Sequence, residues 1–197
     1  MALPQVKQDA TNARLSALSL PEGAGWVTAA REDALSRVQA MGLPTRRDEY
    51  WKYTRPDLLT AAEPKPAAIF ANDETPIFSE IDRVRLVFVD GVFDAAQSDD
   101  LSLAGVEIDR LADAGQTDIH WAKDVYGVLE TRGQSPVERP LAALNTAFAT
   151  DGVLIRVTGK AKLPVSLVYL HQNETSDAML HHCIKVEPGA ELTVLEN

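Results

Sequence analysis

The chain has 197 residues, of which 45 % are hydrophobic and 24 % charged, a composition typical of globular proteins and not of disordered ones. Its 29 acidic and 19 basic residues give a formal net charge of −10 at pH 7, which disfavours binding to nucleic acid or to anionic membranes. The single cysteine excludes an internal disulfide, and the first twenty residues lack the pattern of a secretory signal. We therefore expect a cytoplasmic protein with no membrane partner.

Four segments predict helices. Residues 9–20 are rich in helix formers and end at a Pro–Gly cluster. Residues 26–41 repeat apolar side chains at spacings of three and four, and Gly42 stands where a helix-terminating glycine belongs. Two more helices are predicted over 119–132 and 139–150, the second with Pro140 in its first turn.

Residues 44–54 place aromatic rings among charges, which is typical of a short helix or turn with one wet and one buried side. We expect Trp51 and Tyr53 to pack against the N-terminal helices. Residues 61–76 are rich in Ala, Pro and Glu and are predicted to form a linker or an irregular wrapping segment.

Strand signals begin at Val84. The β-branched and aromatic run 84–89 is followed by Asp90-Gly91, which predicts a type I′ hairpin. Another strand is predicted within 105–111. After Gly152 the pattern changes to strands without intervening helices, over 153–157, 164–170, 179–186 and 190–195.

One face of the last two predicted strands is apolar. It consists of the even-numbered residues Leu180, His182, Ile184, Val186, Leu192 and Val194. The odd-numbered residues, among them His181 and Cys183, point the other way. A sheet with one buried face fits a sandwich, a barrel or a β-solenoid. Because the sequence stops directly after an apolar strand, we expect it to be truncated or capped by a partner.

His181, His182 and Cys183 are the one cluster of candidate metal ligands in the sequence. Successive residues of a strand point to opposite faces, so the three side chains cannot converge on one ion. We expect His182 to be hydrogen-bonded in the core, with His181 and Cys183 on an outer or interface face. Phosphate-binding and nucleophile motifs are absent from the sequence, so no catalytic, cofactor-binding or metal residue is assigned and an enzyme is not expected.

Several segments, in the same order, resemble the SufD family of iron–sulfur cluster assembly proteins. PTRRDEYWKYT at 44–54 is similar to that family's P-x-R-R-x-E-x-W-K-Y-T segment, and LAALNTAFATDG at 141–152 to its L-N-x-A-F-x-x-D-G segment. Residues 87–93 resemble its strand–turn–strand element, and 186–192 resemble a coil turn of its β-helix. The paralogous SufB family shares the β-helix but not this N-terminal region, which favours SufD.

The resemblance implies a mixed fold: an α+β N-terminal region over 1–150, with helices and a β-hairpin, and the first coils of a right-handed parallel β-helix, or β-solenoid, over 151–197. It implies a non-catalytic scaffold subunit of a SufBCD complex that pairs with a SufB-like protein and a SufC-like ATPase. The complex assembles the iron–sulfur cluster, and this chain alone binds no cofactor. Family members continue past residue 197, so no site residue is carried onto this chain. We expect the 197-residue form to self-associate through its bare final strand.

Two other classes stay open. A cupin-like metal-dependent enzyme is suggested by His182 followed by Glu187-Pro188-Gly189 between two strands. Such a site needs two histidines on one face of a strand, then a glutamate and a distant third histidine, whereas His181 and His182 straddle the sheet. A β-solenoid carbohydrate-binding or lyase module would show rows of aromatic side chains, and Tyr169 is the single aromatic residue after Gly152.

Overall fold

A computed structural model describes residues 3–63, 65–69 and 77–197, which group into two units. Unit 1 comprises Met1–Lys65 and Gly115–Ala149, and unit 2 comprises Pro66–Ala114 and Thr150–Asn197. Each unit is thus built from two separate stretches of chain. Among the described residues, no helix combines the length and the apolar character that crossing a membrane would require.

The helices are α1 (Gln5–Ser16), α2 (Gly25–Met41), α3 (Asp57–Thr60), α4 (Leu111–Ala114), α5 (Val128–Arg132) and α6 (Pro140–Phe148). Short 3-10 turns cover Glu49–Trp51, Leu101–Ala104 and Trp121–Asp124. The strands are β1 (Val84–Val89), β2 (Val92–Phe93), β3 (Glu107–Arg110), β4 (Val153–Val157), β5 (Val165–Leu170), β6 (Cys183–Val186) and β7 (Val194–Glu196).

Unit 1 is organised around α2 and α6, which pack against each other. The side chains that α2 and α6 bury include Val27, Ala34, Val38, Ala143, Leu144 and Ala147. The buried Arg31 of α2 donates from Nη1 to the carbonyl of Pro21 and from Nη2 to that of Ala149, each at 3.0 Å. Because Ala149 follows the last residue of α6, this cation satisfies a carbonyl at the negative end of that helix.

The helix predictions succeed where the local signals are strongest. α2 and α6 are confirmed within two residues at each end, and Gly42 terminates α2 with a φ of 65°. α1 begins directly after Pro4, four residues earlier than predicted, and ends four residues earlier as well. The continuous helix over 119–132 is wrong, because Gly127, at a φ of 72°, separates a 3-10 turn from α5.

The aromatic segment 44–54 contains a single 3-10 turn, Glu49–Trp51, in agreement with the predicted short helix or turn. The predicted packing of Tyr53 against the N-terminal helices is wrong. That side chain is 91 % exposed, and Tyr50 is exposed as well, whereas Trp51 is partly buried. A single 3-10 turn is too short to bring rings at both ends of the segment to one buried side. Of the predicted linker, residues 64 and 70–76 lie outside the described residues.

Unit 2 contains two sheets. The first sheet has the strand order β2-β1-β5-β7, and the second has the order β3-β4-β6. Both sheets mix antiparallel and parallel pairs. The predicted β1–β2 hairpin is confirmed: Val89 pairs with Val92, and the two turn residues Asp90 and Gly91 have φ values of 50° and 82°, as a type I′ turn requires.

From residue 153 onward the chain alternates between the two sheets. β4 lies in the second sheet, β5 in the first, β6 returns to the second beside β4, and β7 returns to the first beside β5. Leu154 lies beside Cys183 and Val165 beside Val194, so both parallel pairs join residues 29 apart. The sheets share one apolar cluster, made of Val84, Leu86, Phe88, Ala104, Ile108, Val153, Ile155, Val157, Val165 and Leu167.

The observed fold is therefore a mixed α/β architecture with two small mixed sheets. β6 and β7 are shorter than predicted, starting at Cys183 and Val194 instead of 179 and 190. Within the described residues the β4–β5 arrangement is repeated once, by β6 and β7, whereas a solenoid consists of several stacked coils. The described strands therefore do not by themselves show a solenoid.

Candidate functional site

Among the described residues, the outer edge of the second sheet carries exposed apolar side chains. β6 is the last strand of the second sheet and β7 the last strand of the first, among the residues that the structure describes. Ile184 lies beside Ile155 and Val186 beside Val157. The two inner residues are fully buried, whereas Ile184 and Val186 are 44 % and 47 % exposed. The apolar row of β4 therefore continues onto β6, where its side chains are exposed to solvent.

This exposure corrects one prediction. Ile184 and Val186 do extend the apolar face, as the alternation predicted, but the expected burial of that face is wrong at these two residues. Burial requires a neighbour on both sides of a strand, and β6 has one on the β4 side only within the described part of the chain. We call the exposed Ile184 and Val186, together with Leu192 and Val194, which are partly buried against the apolar cluster, the open edge.

Cys183 lies on the opposite face of β6 from the open edge. It was expected on an outer or interface face, but it is only 6 % exposed and lies beside the fully buried Leu154. Burial raises the pKa of its thiol to about 12. Because the thiolate is the form that binds metals and attacks electrophiles, the burial and the raised pKa of Cys183 disfavour both roles.

His182 is confirmed as a hydrogen-bonded histidine. Its Nδ1 accepts the backbone N–H of Val153 at 2.9 Å, and its Nε2 lies 3.0 Å from the hydroxyl oxygen of Tyr169. That hydroxyl also donates to Oε1 of Glu196 at 3.1 Å. We call these four residues, Val153, His182, Tyr169 and Glu196, the relay.

Electrostatics keep the relay in one protonation state near neutral pH. Burial lowers the pKa of His182, against the opposing influence of the Glu196 and Asp151 carboxylates. Burial also raises the pKa of Tyr169, and the negative charge of Glu196 acts in the same direction. The imidazole is therefore neutral and the phenol protonated at pH 7.

Among the described residues, the side chains of His181, His182 and Cys183 do not come together as a group that could hold a metal ion. Moreover, a neutral imidazole whose Nδ1 accepts a hydrogen bond carries its proton on Nε2, the nitrogen that a metal ion would otherwise take. The arrangement around His182 is suited to hydrogen bonding and not to ligating an ion.

The sequence analysis missed Tyr169 and Glu196 as partners of His182. The sequence contains one signal for Tyr169. It lies on the same face of β5 as Val165 and Leu167, and both of these belong to the apolar cluster. Glu196 lies beside Leu167 in the neighbouring strand. Polar residues on a face that is otherwise apolar indicate a hydrogen-bond network. The partners of His182 could not be identified without knowing the 29-residue offset between paired strands, which the sequence does not show.

A second polar group joins β3 to the start of β4. The carboxylate of Asp151 accepts hydrogen bonds from Nε of Arg110 at 3.1 Å and from the backbone N–H of Gly152 at 2.8 Å. The guanidinium carbon of Arg110 lies 4.7 Å from the centre of the Phe93 ring. This ion pair ties the strand pair β3–β4 to the hairpin, and its contacts are those of a structural group.

Comparison with known proteins agrees with the segments that resemble the SufD family. The family model described as "SufBD protein N-terminal region" matches residues 19–167. The iron-sulfur cluster assembly protein SufD of Escherichia coli (strain K12) is 29 % identical over 177 residues, which cover 83 % of this chain and 37 % of that protein. The chain thus spans well under half the length of this curated relative.

The family match covers most of the chain and includes α2, α6 and the strands β1 to β4. Its description names SufB and SufD together, so it does not separate the two. The matching family is neither a cupin nor a carbohydrate-binding family. The chain belongs to the SufBD N-terminal region family.

Proposed function

We propose that this chain is a non-catalytic scaffold subunit of a SufBCD-type complex, in which the iron–sulfur cluster is the cargo. The observation that carries the proposal is the family match over residues 19–167. The relative's name states iron–sulfur cluster assembly for that protein. We favour a SufD-like over a SufB-like subunit because of that relative and the 44–54 segment, and we place the subunit in the cytoplasm.

We also propose that residues 151–197, following the α+β region 1–150, are the first coils of a right-handed β-solenoid. Three features support this: the alternation of β4, β5, β6 and β7 between two sheets, the constant 29-residue offset, and the apolar cluster that both sheets share. The open edge is then the surface on which a further coil stacks. In the 197-residue form, a second copy of the chain covers it instead.

The proposed partners are a SufB-like protein, which pairs with the solenoid, and a SufC-like ATPase. A solenoid presents a long, regular surface with exposed strand edges, which suits pairing with another solenoid. The SufC-like partner is supported by the family resemblance alone. No cofactor is proposed for this chain by itself.

The test is co-purification from the native host. The full-length product of the gene is tagged at the N-terminus, and the proteins recovered with it are identified by mass spectrometry. We expect SufB-like and SufC-like proteins in amounts comparable to the bait. Leu167→Asp, which places a charge in the apolar cluster, should abolish recovery of the SufB-like protein, whereas Ile119→Asp at an 84 % exposed site in unit 1 should not. Recovery of soluble bait with neither partner would contradict the proposal.

A further inference from the structure

The direction of every hydrogen bond in the relay follows from one backbone group. The N–H of Val153 can only donate, so Nδ1 of His182 must accept and carries no proton. The neutral ring therefore has its proton on Nε2, which donates to the hydroxyl oxygen of Tyr169. The hydroxyl proton is left free to point at Glu196, the one acceptor that the relay provides for it.

The relay connects all four strands of the alternating segment. Val153 is the first residue of β4, and His182 directly precedes β6. Tyr169 lies near the end of β5, and Glu196 is the last residue of β7. The Val153–His182 contact thus closes the start of the parallel β4–β6 pair, next to the bridge between Asp151 and Leu180.

A second proton on His182 changes only one of these contacts. Nε2 already carries a proton and keeps its bond to Tyr169. The new proton goes to Nδ1, which then faces the N–H of Val153 across 2.9 Å with donor against donor. The hydrogen bond is lost, and the segment entering β6 is pushed away from the start of β4.

Two carboxylates from different segments of the chain influence His182. Glu196 of β7 and Asp151, two residues before β4, are the carboxylates that favour the charged ring. Asp151 is itself paired with Arg110 of β3, which offsets part of its attraction. Tyr169 of β5 is neutral, and the apolar ring of Phe88 lies 5.8 Å away, centre to centre. The apolar surroundings keep the neutral ring favoured in the folded state.

We propose that the Val153–His182 hydrogen bond is an acid-released latch: a second proton on His182 frees the segment leading into β6 from the start of β4 and loosens the β4–β7 repeat. This inference rests on the relay alone and is independent of the proposed function. Its sign is fixed, since an unfolded histidine with an ordinary pKa near 6.5 takes up a proton before the folded one does. The latch is therefore fully closed above about pH 7 and weakens as the pH falls.

Two measurements on the unmodified 197-residue chain test the latch. Nitrogen-15 spectra of the histidine rings should show the Nε2–H tautomer for His182 at neutral pH. Because burial lowers its pKa, His182 should also titrate below the ordinary histidine value near 6.5. Hydrogen exchange at the Val153 amide, corrected for its intrinsic pH dependence, should rise several-fold, up to about tenfold, between pH 7.5 and 5.5. The Nδ1–H tautomer, or unchanged protection of Val153 while His182 gains its proton, would overturn the proposal.

A pair of variants separates the latch from general acid sensitivity. His182→Asn retains an acceptor near the position of Nδ1 but cannot gain a proton, so its Val153 exchange should change by less than about twofold over the same pH range. The matched control His171→Asn should keep the response of the unmodified chain. An equally strong acid response in His182→Asn would refute the role of His182, and if this variant fails to fold, the ring spectra of the unmodified chain still decide the question.

Discussion

Asp151 and Arg110 form an ion pair that is buried on one side only: the carboxylate is 4 % exposed, whereas the guanidinium is partly open to solvent. Asp151 also accepts the backbone N–H groups of Gly152 and Ala112. The carboxylate is thus enclosed by donors from β3, from α4 and from the residue before β4. Its removal leaves several groups without an acceptor.

Replacing Asp151 with Asn should destabilise the protein by about 2 to 4 kcal/mol, because a partly buried guanidinium loses its counter-charge and its hydrogen bonds weaken. Urea unfolding followed by circular dichroism measures the loss. The matched control is Asp113→Asn: Asp113 pairs with the same arginine at 3.6 Å but is exposed, so its loss should be below about 0.5 kcal/mol. Equal losses in both variants would contradict the structural role of Asp151.

Gly152 should not tolerate even one methyl group. A Cβ at this position would lie 2.0 Å from the carbonyl oxygen of His181, and that backbone cannot yield as a flexible side chain could. We expect Gly152→Ala to cost roughly 3 kcal/mol or more, or to prevent folding. A Cβ at Gly159 meets nothing within 4 Å, so Gly159→Ala should change the free energy of unfolding by less than about 1 kcal/mol. Comparable thermal midpoints for the two variants would show that the approach of residues 152 and 181 is looser than observed.

The thiol of Cys183 should be nearly inert in the folded protein. With its pKa raised from 9.0 to about 12, the thiolate fraction near pH 8 falls by about three orders of magnitude, and burial blocks access as well. Labelling by a disulfide reagent should therefore be at least about a hundredfold slower in buffer than in denaturant. Rapid labelling in buffer, at the rate of the unfolded chain, is the outcome that would contradict this prediction.

The 197-residue form should self-associate through the open edge. Lysine at Val186 or Val194 places a solvated charge in the apolar row and disfavours edge pairing, so each variant should shift the protein toward monomer. Light scattering after size exclusion, at tens of micromolar, measures the mass. Ile119→Lys, at an exposed residue of unit 1, is the control and should leave the mass unchanged. If the unsubstituted protein is a monomer, the open edge does not mediate self-association.

The sequence predicts what neighbouring residues determine among themselves. The Asp90-Gly91 turn and the end of α2 at Gly42 need backbone conformations that these residue types favour, so a local pattern was enough. The exposure of Tyr53 and the burial of Cys183 depend on which distant segments pack nearby, and alternation along a strand does not contain that information. The relay is the extreme case, because a 29-residue offset brings Glu196 into register with Leu167.

The interleaving of the two units sets an order of events during synthesis. Val84 of β1 pairs with Val165 of β5, 81 residues later, whereas the last residue of unit 1 is Ala149. At ribosomal speeds of about 5 to 20 residues per second, β1 is made roughly 4 to 16 s before its parallel partner. Unit 1 can therefore close on itself first, while the apolar strand β1 has only the two residues of β2 to pair with. During synthesis the chain thus passes through a stage in which unit 1 is complete but the apolar strand β1 still lacks its parallel partner β5. At this stage the chain exposes apolar surface that a chaperone could bind.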